Sequence, residues 1–563
     1  QQPSLREVAG MSQSNVSRRA VLLGTSSAAA TAVLGGGAWW ALRPDDATST
    51  PARVAPTAEA VTRAERARRA RGTGRTVRAS LVAEQGSVDL GGRTVRTWAY
   101  GGELPGKVIR CTAGDRLEVD VRNKLPEATT VHWHGLRLRN DMDGVPHLTQ
   151  PLIAAGATKR YAFTAPDPGT YWLHPHVGVQ RERGLYAPLI VDDPHEAGDY
   201  DAEFTVVLDD WTDGVAATPD QVLATLRKGG MMNRYETRVL AGAVPDRSKQ
   251  WQYHVPREVT DSPAGKKART APQRLASQVD YPFYLLNGRL PTAPGTFRAK
   301  PGQRARIRLI NAGGATVFRV ALGGHRMTVT HTDGFPVTPV TVDTLQIASG
   351  ERYDLLVTLK DGAFPLVAVA EGKRAQALGV IRTGSGTAPD AAVDVPELGG
   401  RLLALTDLHA TGAVREKEQA PDVTHTAYLT GDMMKFSWHI NAETYHPDRP
   451  FTGITPLTVH GGERVRLQLV NQTPMYHPMH LHGHTFTVRA VSDTSGRDEK
   501  ALTGGVRKDT LMVPPGERIT VDFTADNPGQ WLLHCHNAYH MATGMAAILS
   551  YAPTGASATV DGA

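Results

Sequence analysis

Cysteine is nearly absent: the 563 residues hold two, Cys111 and Cys535. So sparse a supply cannot staple the chain, which excludes a disulfide framework. Lysine is missing from the first 80 residues, where 12 arginines stand against 5 acids. That stretch is therefore +7 while the whole chain is +6, leaving the remainder about neutral at −1. The basic pI belongs to the leader, and nothing points to a nucleic-acid partner. Methionine-rich runs are also missing; Met231–Met232 and Met433–Met434 are the adjacent pairs, the second preceded by Asp432.

Helix-periodic windows are few, while 56 glycines and 37 prolines punctuate the chain, so many short strands and turns are expected. The length allows about three domains. Gln1 to Gly10 precede Met11 and read as extra upstream sequence. From Met11 the chain reads as an export signal: Ser17-Arg18-Arg19 precedes an uncharged run from Ala20 to Leu42. The paired arginines resemble a twin-arginine signal, with Val21 and Leu23 where Phe and Lys are usual. The run is long enough to span a bilayer and ends in Trp39-Trp40 before Arg43, with no clean small-residue cleavage site, so cleavage and a membrane tether are both compatible with it. Either way the chemistry lies outside the cytoplasm. Arg63, Arg66, Arg68, Arg69, Arg71, Arg75 and Arg78 read as a solvated linker able to touch anionic lipid.

One frame occurs three times: Gly114-Asp115-Arg116 with Asn123, Gly302-Gln303-Arg304 with Asn311, and Gly462-Glu463-Arg464 with Asn471. The residues between alternate apolar and polar, the pattern of a half-buried strand running into a polar turn. Three copies imply three domains of one kind. Their expected limits are residues 76–193, 200–383 and 396–553, all sandwich-type, behind a leader and linker of 1–75. Between Trp211 and Val279 lies a polar insertion read as a surface excursion, with a helix start at Thr218 as cap and Pro219 at the first helical position.

Nine residues past the Asn, the first copy reads His132-Trp133-His134 and the third His480-Leu481-His482, where the middle has Val320 and Leu322. A second frame repeats this: five residues after Gly169 comes His174-Pro175-His176, after Gly529 His534-Cys535-His536, and after Gly362 Val367-Ala368-Val369. Histidines alternating on a strand share a face. Four such pairs supply eight imidazoles that converge if domains one and three meet along pseudo-equivalent edges, with a metal centre between them.

The C-terminal run from His534 to Met545 adds a further donor set. Cys535, with His at +5 (His540) and Met at +10 (Met545), offers a thiolate, an imidazole and a thioether; one more imidazole completes the trigonal site of a blue copper. On a strand Cys535 faces away from His534 and His536, so the sulfur of one site is covalently continuous with imidazoles aimed at another. Cys111 has no activating context and reads as a buried apolar filler. His147, His325, His331, His425, His439, His460 and His484 lack a second ligand at useful spacing and read as structural, with outer-shell duty left open for His484.

With HWHG at 132–135, HPH at 174–176, HPMHLHG at 477–483 and HCHNAYHMATGM at 534–545, the chain resembles three-domain multicopper oxidases of the laccase type. The resemblance covers about 470 residues and implies an all-β chain of three cupredoxin-like Greek-key β-sandwich domains, four copper ions, and reduction of O2 to water with electrons taken singly from a reducing substrate. Carried over by motif, it implies type 1 copper on His477, Cys535 and His540 with Met545 axial, and type 2 copper on His132 and His480. The type 3 pair then falls to His134, His174, His176, His482, His534 and His536. Many bacterial relatives carry Glu directly after the last type 1 His, where this chain has Met541. Asp143 matches an acid that supplies protons in relatives; its alternative is a turn residue before Gly144.

The implied activity is oxidation of phenols or aromatic amines. The rivals are a cuprous-ion oxidase of the cell envelope and, from another class, a non-catalytic cupredoxin-like scaffold; nitrite reduction fits the donor set poorly. The remaining partners are O2 and the small reducing substrate, and the chain is expected to act as a monomer.

Overall fold

The structure is a computed structural model and describes residues 53–229 and 277–553, apart from 197, 278, 280 and 374. It is built of β-sheets packed in pairs, as expected for an all-β chain. In the first pair, a four-stranded sheet ordered Thr94–Tyr100, Thr76–Asp89, Arg116–Asn123, Thr158–Thr164 accompanies one ordered Ile109–Thr112, Ala187–Asp192, Gly169–His174, His132–His134. The second pair has six strands (Phe283–Leu286, Ala202–Trp211, Arg304–Asn311, Arg352–Thr358, Met327–Thr332, Phe335–Val342) and five (Gly295–Arg298, Gln376–Arg382, Ala363–Ala370, Phe318–Leu322, Leu345–Ile347). The third pair repeats that order strand for strand, from Ser437–Ile440 to Lys500–Lys508 and from Leu457–Val459 to Thr510–Val513.

The repeated frame has a physical cause. Each glycine turns the chain with a positive φ, +87° at Gly114, +80° at Gly302 and +92° at Gly462, a conformation that costs a side-chain-free residue little. The strand that follows pairs in parallel with the first strand of its domain, Arg116–Asn123 with Thr76–Asp89 for example. Its closing Asn is fully buried and, in the second and third domains, bridges to the opposite sheet. Asn471 donates from Nδ2 to the carbonyls of Met475 and Val513 at 2.7 and 3.0 Å, and its Oδ1 accepts from Thr473 N at 2.9 Å. Asn123 and Asn311 make the same three kinds of bond. A buried amide with its hydrogen bonds made holds the turn that aims the next strand.

The middle domain departs by one residue from the sequence frame. Its turn between Asn311 and Phe318 is one residue longer than that between Asn471 and His477, and Val367 pairs with Ala321 rather than with Val320. Because side chains alternate, the counterpart of His480, which pairs with His534, is Ala321. Ala321, Val367 and Val369 form an apolar cluster with Leu378 and Val395, so the conclusion that this domain carries no donors there stands.

The basic linker needs correction. Glu59–Ala70 is a helix with Val61 and Glu65 buried, and Arg68 donates from Nη2 to Asn527 Oδ1 at 2.6 Å. Arg75 pairs with the buried Asp115. Ala, Glu and Arg are strong helix formers, and Glu65 sits i,i+4 from Arg69, which gives the segment a fold that its low hydropathy concealed. The expected helix start at Thr218 is present: Thr218 N–H donates to Gln221 Oε1 at 2.8 Å and Gln221 N–H to Thr218 Oγ1 at 3.3 Å, a reciprocal cap on Pro219–Gly229. Val222, Leu223 and Leu226 bury its inner face. Among the described residues no helix is long and apolar enough to cross a membrane; the run 20–42 and Met231–Met232 lie outside them.

Candidate metal centre

The strand Gln530–Cys535 lies between His477–Leu481 and Ala546–Tyr551, opposing Met479 to Cys535 and His480 to His534. Cys535 therefore faces the core of the third domain while His534 and His536 face outward. The strand stops at Asn537, whose Oδ1 caps a short helix, Ala538–Ala542, by accepting from the N–H of Tyr539 at 3.0 Å and of His540 at 3.2 Å. That cap returns His540 to the cysteine, which explains the spacing of five.

His477 Nδ1 and His540 Nδ1 lie 3.1 Å apart, each 3.5 Å from Cys535 Sγ. The centre of that triangle is about 2.0 Å from every corner, the length of a metal–nitrogen bond, so the donor set fits a trigonal copper. Burial pushes the Cys535 thiol up to about 12 and the His477 imidazole down to about 3. The imidazole is thus in its ligand form, and the thiol needs a bound cation to ionise. Met545 is wholly buried; its N–H donates to His540 O at 3.0 Å and its carbonyl accepts Cys535 N–H at 3.1 Å. His477 Nε2 is held by Thr473 Oγ1 at 2.7 Å, and Trp438 lies over His540 with ring centroids 4.1 Å apart.

On the outward face the four pairs meet. His132 Nε2 is 3.4 Å from His480 Nε2, His174 Nε2 3.3 Å from His536 Nε2, and His534 Nε2 3.0 Å from His482 Nε2 and 3.4 Å from His176 Nε2. The donor atoms fall into three groups within 4.8 Å: His132 and His480 with His134, then His134, His174 and His536, and then His176, His482 and His534. The outer nitrogens are tied elsewhere, which fixes the tautomers. His132, His480, His174 and His534 donate Nδ1–H to the carbonyls of Asp143 (2.7 Å), Asp509 (2.9 Å), Pro175 (2.9 Å) and Cys535 (2.9 Å). His134 is reversed. Its Nε2 meets Thr510 Oγ1 at 2.9 Å, and its buried Nδ1 has no hydrogen-bond partner, as a nitrogen reserved for a metal should not. Burial together with neighbouring charges holds His134, His174, His482, His534 and His536 well below the usual histidine range, and His176 at about 3, which favours the neutral form that a metal would need.

Asp143 stands at the turn before Gly144 and at the same time sits inside the site. Its Oδ2 accepts His482 Nδ1–H at 2.8 Å and its Oδ1 lies 3.3 Å from His132 Nδ1, with no exposed surface. Cys111 is buried and its thiol pushed up to about 12, in keeping with an inert filler. His484 donates Nδ1–H to His482 O at 3.0 Å and meets Tyr551 Oη through Nε2 at 2.6 Å, placing it one bond from the cluster. Sequence reasoning missed Trp438, Ser349, Arg181 and Asp509, which touch the donors from distant parts of the chain, Thr473, which does so from four residues away, and Arg352, which reaches them through Asp509.

Such donor sets on the first and third of three repeated sandwiches define a class, the copper oxidases that couple a blue site to a multinuclear one. Three sequence models of the family described as multicopper oxidase match residues 82–196, 202–386 and 418–554. Multicopper oxidase MmcO of Mycobacterium tuberculosis is 44% identical over 85% of this chain and 88% of its own. Copper resistance protein A of Pseudomonas syringae pv. tomato is 30% identical over 81% of this chain and 90% of its own. The crystal structure of a laccase from Botrytis aclada superposes with a TM-score of 0.65 at 26% identity, covering 87% of this chain and 90% of that one. The chain belongs to the multicopper oxidase family. It is a copper-dependent oxidoreductase of three cupredoxin-like domains whose cofactor is the four-copper set typical of that family, one type 1, one type 2 and two type 3.

Proposed function

We propose that this enzyme oxidises cuprous ion at the expense of O2, outside the cytoplasm. His477, Cys535, His540 and Met545 hold the type 1 copper, His132 and His480 the type 2, and His134, His174 and His536 with His176, His482 and His534 the type 3 pair, between the first and third domains. When bound, the copper set supplies single-electron uptake at one end and four-electron reduction of O2 at the other.

The choice of donor rests on what covers the type 1 ligands. His477 and His540 have no exposed surface, and Trp438 and Phe436 lie over His540 at 4.1 and 6.1 Å, so a phenol finds no imidazole edge to meet. The turn that carries Phe436 instead presents Met434, 62% exposed, beside Asp432, whose Oδ1 accepts Met434 N–H at 2.9 Å. A thioether next to a carboxylate suits a copper ion better than an aromatic ring. The kinship with copper resistance protein A supports the same reading. Asp143 orients His482 and, as the acid nearest the type 2 and type 3 ligands, is placed to relay protons for O2 reduction. The signal-like residues 17–42 support export by a twin-arginine-like route.

A second reading, oxidation of phenols and aromatic amines, is favoured by the similarity to the Botrytis laccase. Steady-state oxidation of Cu(I) and of a phenol by the four-copper protein under air separates the two. A larger kcat/KM for Cu(I) is expected; a larger one for the phenol assigns the enzyme to the second reading, and turnover of neither rejects both.

A further inference from the structure

The middle domain carries none of the copper donors, yet it reaches them through buried charges. Arg352, at the head of the strand Arg352–Thr358, lays its guanidinium on the Asp509 carboxylate with Nη1–Oδ1 at 2.7 Å and Nη2–Oδ2 at 2.6 Å, both side chains wholly buried. Asp509 continues to the histidines. Its carbonyl accepts His480 Nδ1–H at 2.9 Å, and its Oδ1 lies 3.3 Å from His134 Nε2 and accepts Thr510 Oγ1–H at 2.8 Å. The two rings it touches are stacked, centroids 3.9 Å apart and 18° from parallel, so tilting one displaces the other.

Asp333, also of the middle domain, accepts the backbone N–H of Arg352 at 3.0 Å and of Asp509 and Thr510 at 3.1 Å each. Lys508 closes the network with Nζ 3.2 Å from Asp333 and 3.3 Å from Glu351. There is no slack around it. A Cβ on Gly135 would lie 2.4 Å from Arg352 Nη2 and 2.7 Å from Asp509 Oδ2.

Stability is a poor reason for such a network. Taking charges out of water offsets most of what their pairing gains, and well-packed apolar residues often do as well. Apolar residues cannot fix the plane of an imidazole, and outer hydrogen bonds do. We propose that Arg352 is a positioning residue for the oxygen-reducing centre: through Asp509 the middle domain sets the ring planes of His480 and His134 and with them the hold on type 2 copper. The proposal rests on the copper assignment above.

The test compares Arg352→Lys, which keeps the charge and loses the fork, with Arg306→Lys. Arg306 makes a similar buried pair in the same domain, Nη2 to Asp354 Oδ2 at 2.6 Å, but touches no copper ligand. Each purified holoenzyme is examined for copper content, the type 2 electron paramagnetic resonance signal, the blue band, melting temperature and copper loss to a graded chelator. Arg352→Lys should keep the blue band and lose type 2 copper to about 10- to 100-fold less chelator, while Arg306→Lys melts lower but retains it. Equal retention in Arg352→Lys and wild type overturns the proposal, and so does equal loss in both variants, which would mark general loosening. Should Arg352→Lys not fold, isosteric Asp333→Asn decides the same question, because Asn tolerates the +47° φ at that position. A wild type with a blue band and no type 2 signal would instead refute the underlying copper assignment.

Discussion

His534 donates Nδ1–H to the carbonyl oxygen of Cys535 at 2.9 Å, so the two residues are joined across a hydrogen bond as well as along the chain. Sγ of Cys535 faces His477 and His540, while Nε2 of His534 faces His482. Two short routes therefore connect the sulfur with the histidine cluster. Cys535→Ser should abolish the blue colour and reduce turnover to background with the fold kept, at a cost of ~1–3 kcal/mol for the buried hydroxyl. The visible spectrum of the purified variant checks it, and a retained band removes Cys535 from the type 1 site.

Met545 lies beside this triangle, bonded through its backbone to both Cys535 and His540. An axial thioether bond is long and weak, so Met545→Leu should keep the colour and raise the type 1 potential while lowering activity only modestly. Redox titration decides: an unchanged potential means that Met545 is not the axial ligand.

Asp143 is close to isosteric with Asn, which separates positioning from protonation. Asp143→Asn can still accept from His482 Nδ1 but has no acidic proton to give. Anaerobic bleaching of the blue band by substrate should be normal, and reoxidation by O2 should slow by about 10²-fold, the low end for general acid catalysis. Stopped-flow traces of the two half-reactions test this. Normal rates in both, with four coppers bound, would leave Asp143 an orienting residue only.

Short-range pattern was legible in the sequence; long-range contact was not. His132 and His134 declare their shared face by spacing alone, and the thrice-repeated Asn marks a turn held by buried hydrogen bonds. The one-residue slip that sets Ala321 opposite Val367 depends on a turn length that no periodicity reports. Arg352 and Asp509 are 157 positions apart, and neither sits in a motif. The helix Glu59–Ala70 hid for a different reason: with mostly Ala, Glu and Arg it lacks the apolar stripe by which amphipathic helices are read, and it is held by Arg68 on Asn527.

The copper-free protein should be acid-labile. In the unfolded chain imidazoles take up protons near pH 6.5. Folded, His176 and His477 do so only near 3, and burial also lowers His134, His174, His482, His534, His536 and His540. The unfolded state thus binds more protons between those limits, and stability is lost as pH falls from 6.5 toward 3. Melting temperatures of copper-free protein across that range should drop steadily; a flat profile would mean that the rings are protonated in the fold.

Trp438 is the barrier that the proposed donor specificity depends on. Its ring, wholly buried itself and packed against Phe436, lies 4.1 Å from that of His540 and 5.3 Å from that of His477, so shrinking it loosens the cover over both imidazoles. Trp438→Leu leaves Asp432 and Met434 in place, and Cu(I) should keep its KM. A phenol gains access to His540, and its kcat/KM should rise about tenfold, equivalent to ~1.4 kcal/mol of barrier. The fold loses up to about 3–5 kcal/mol for the truncated ring, so both substrates are compared at one temperature below the variant's melting point. The ratio of the two efficiencies carries the result, because partial inactivation cancels from it. A ratio unchanged from wild type would show that something other than Trp438 keeps phenols from the type 1 ligands.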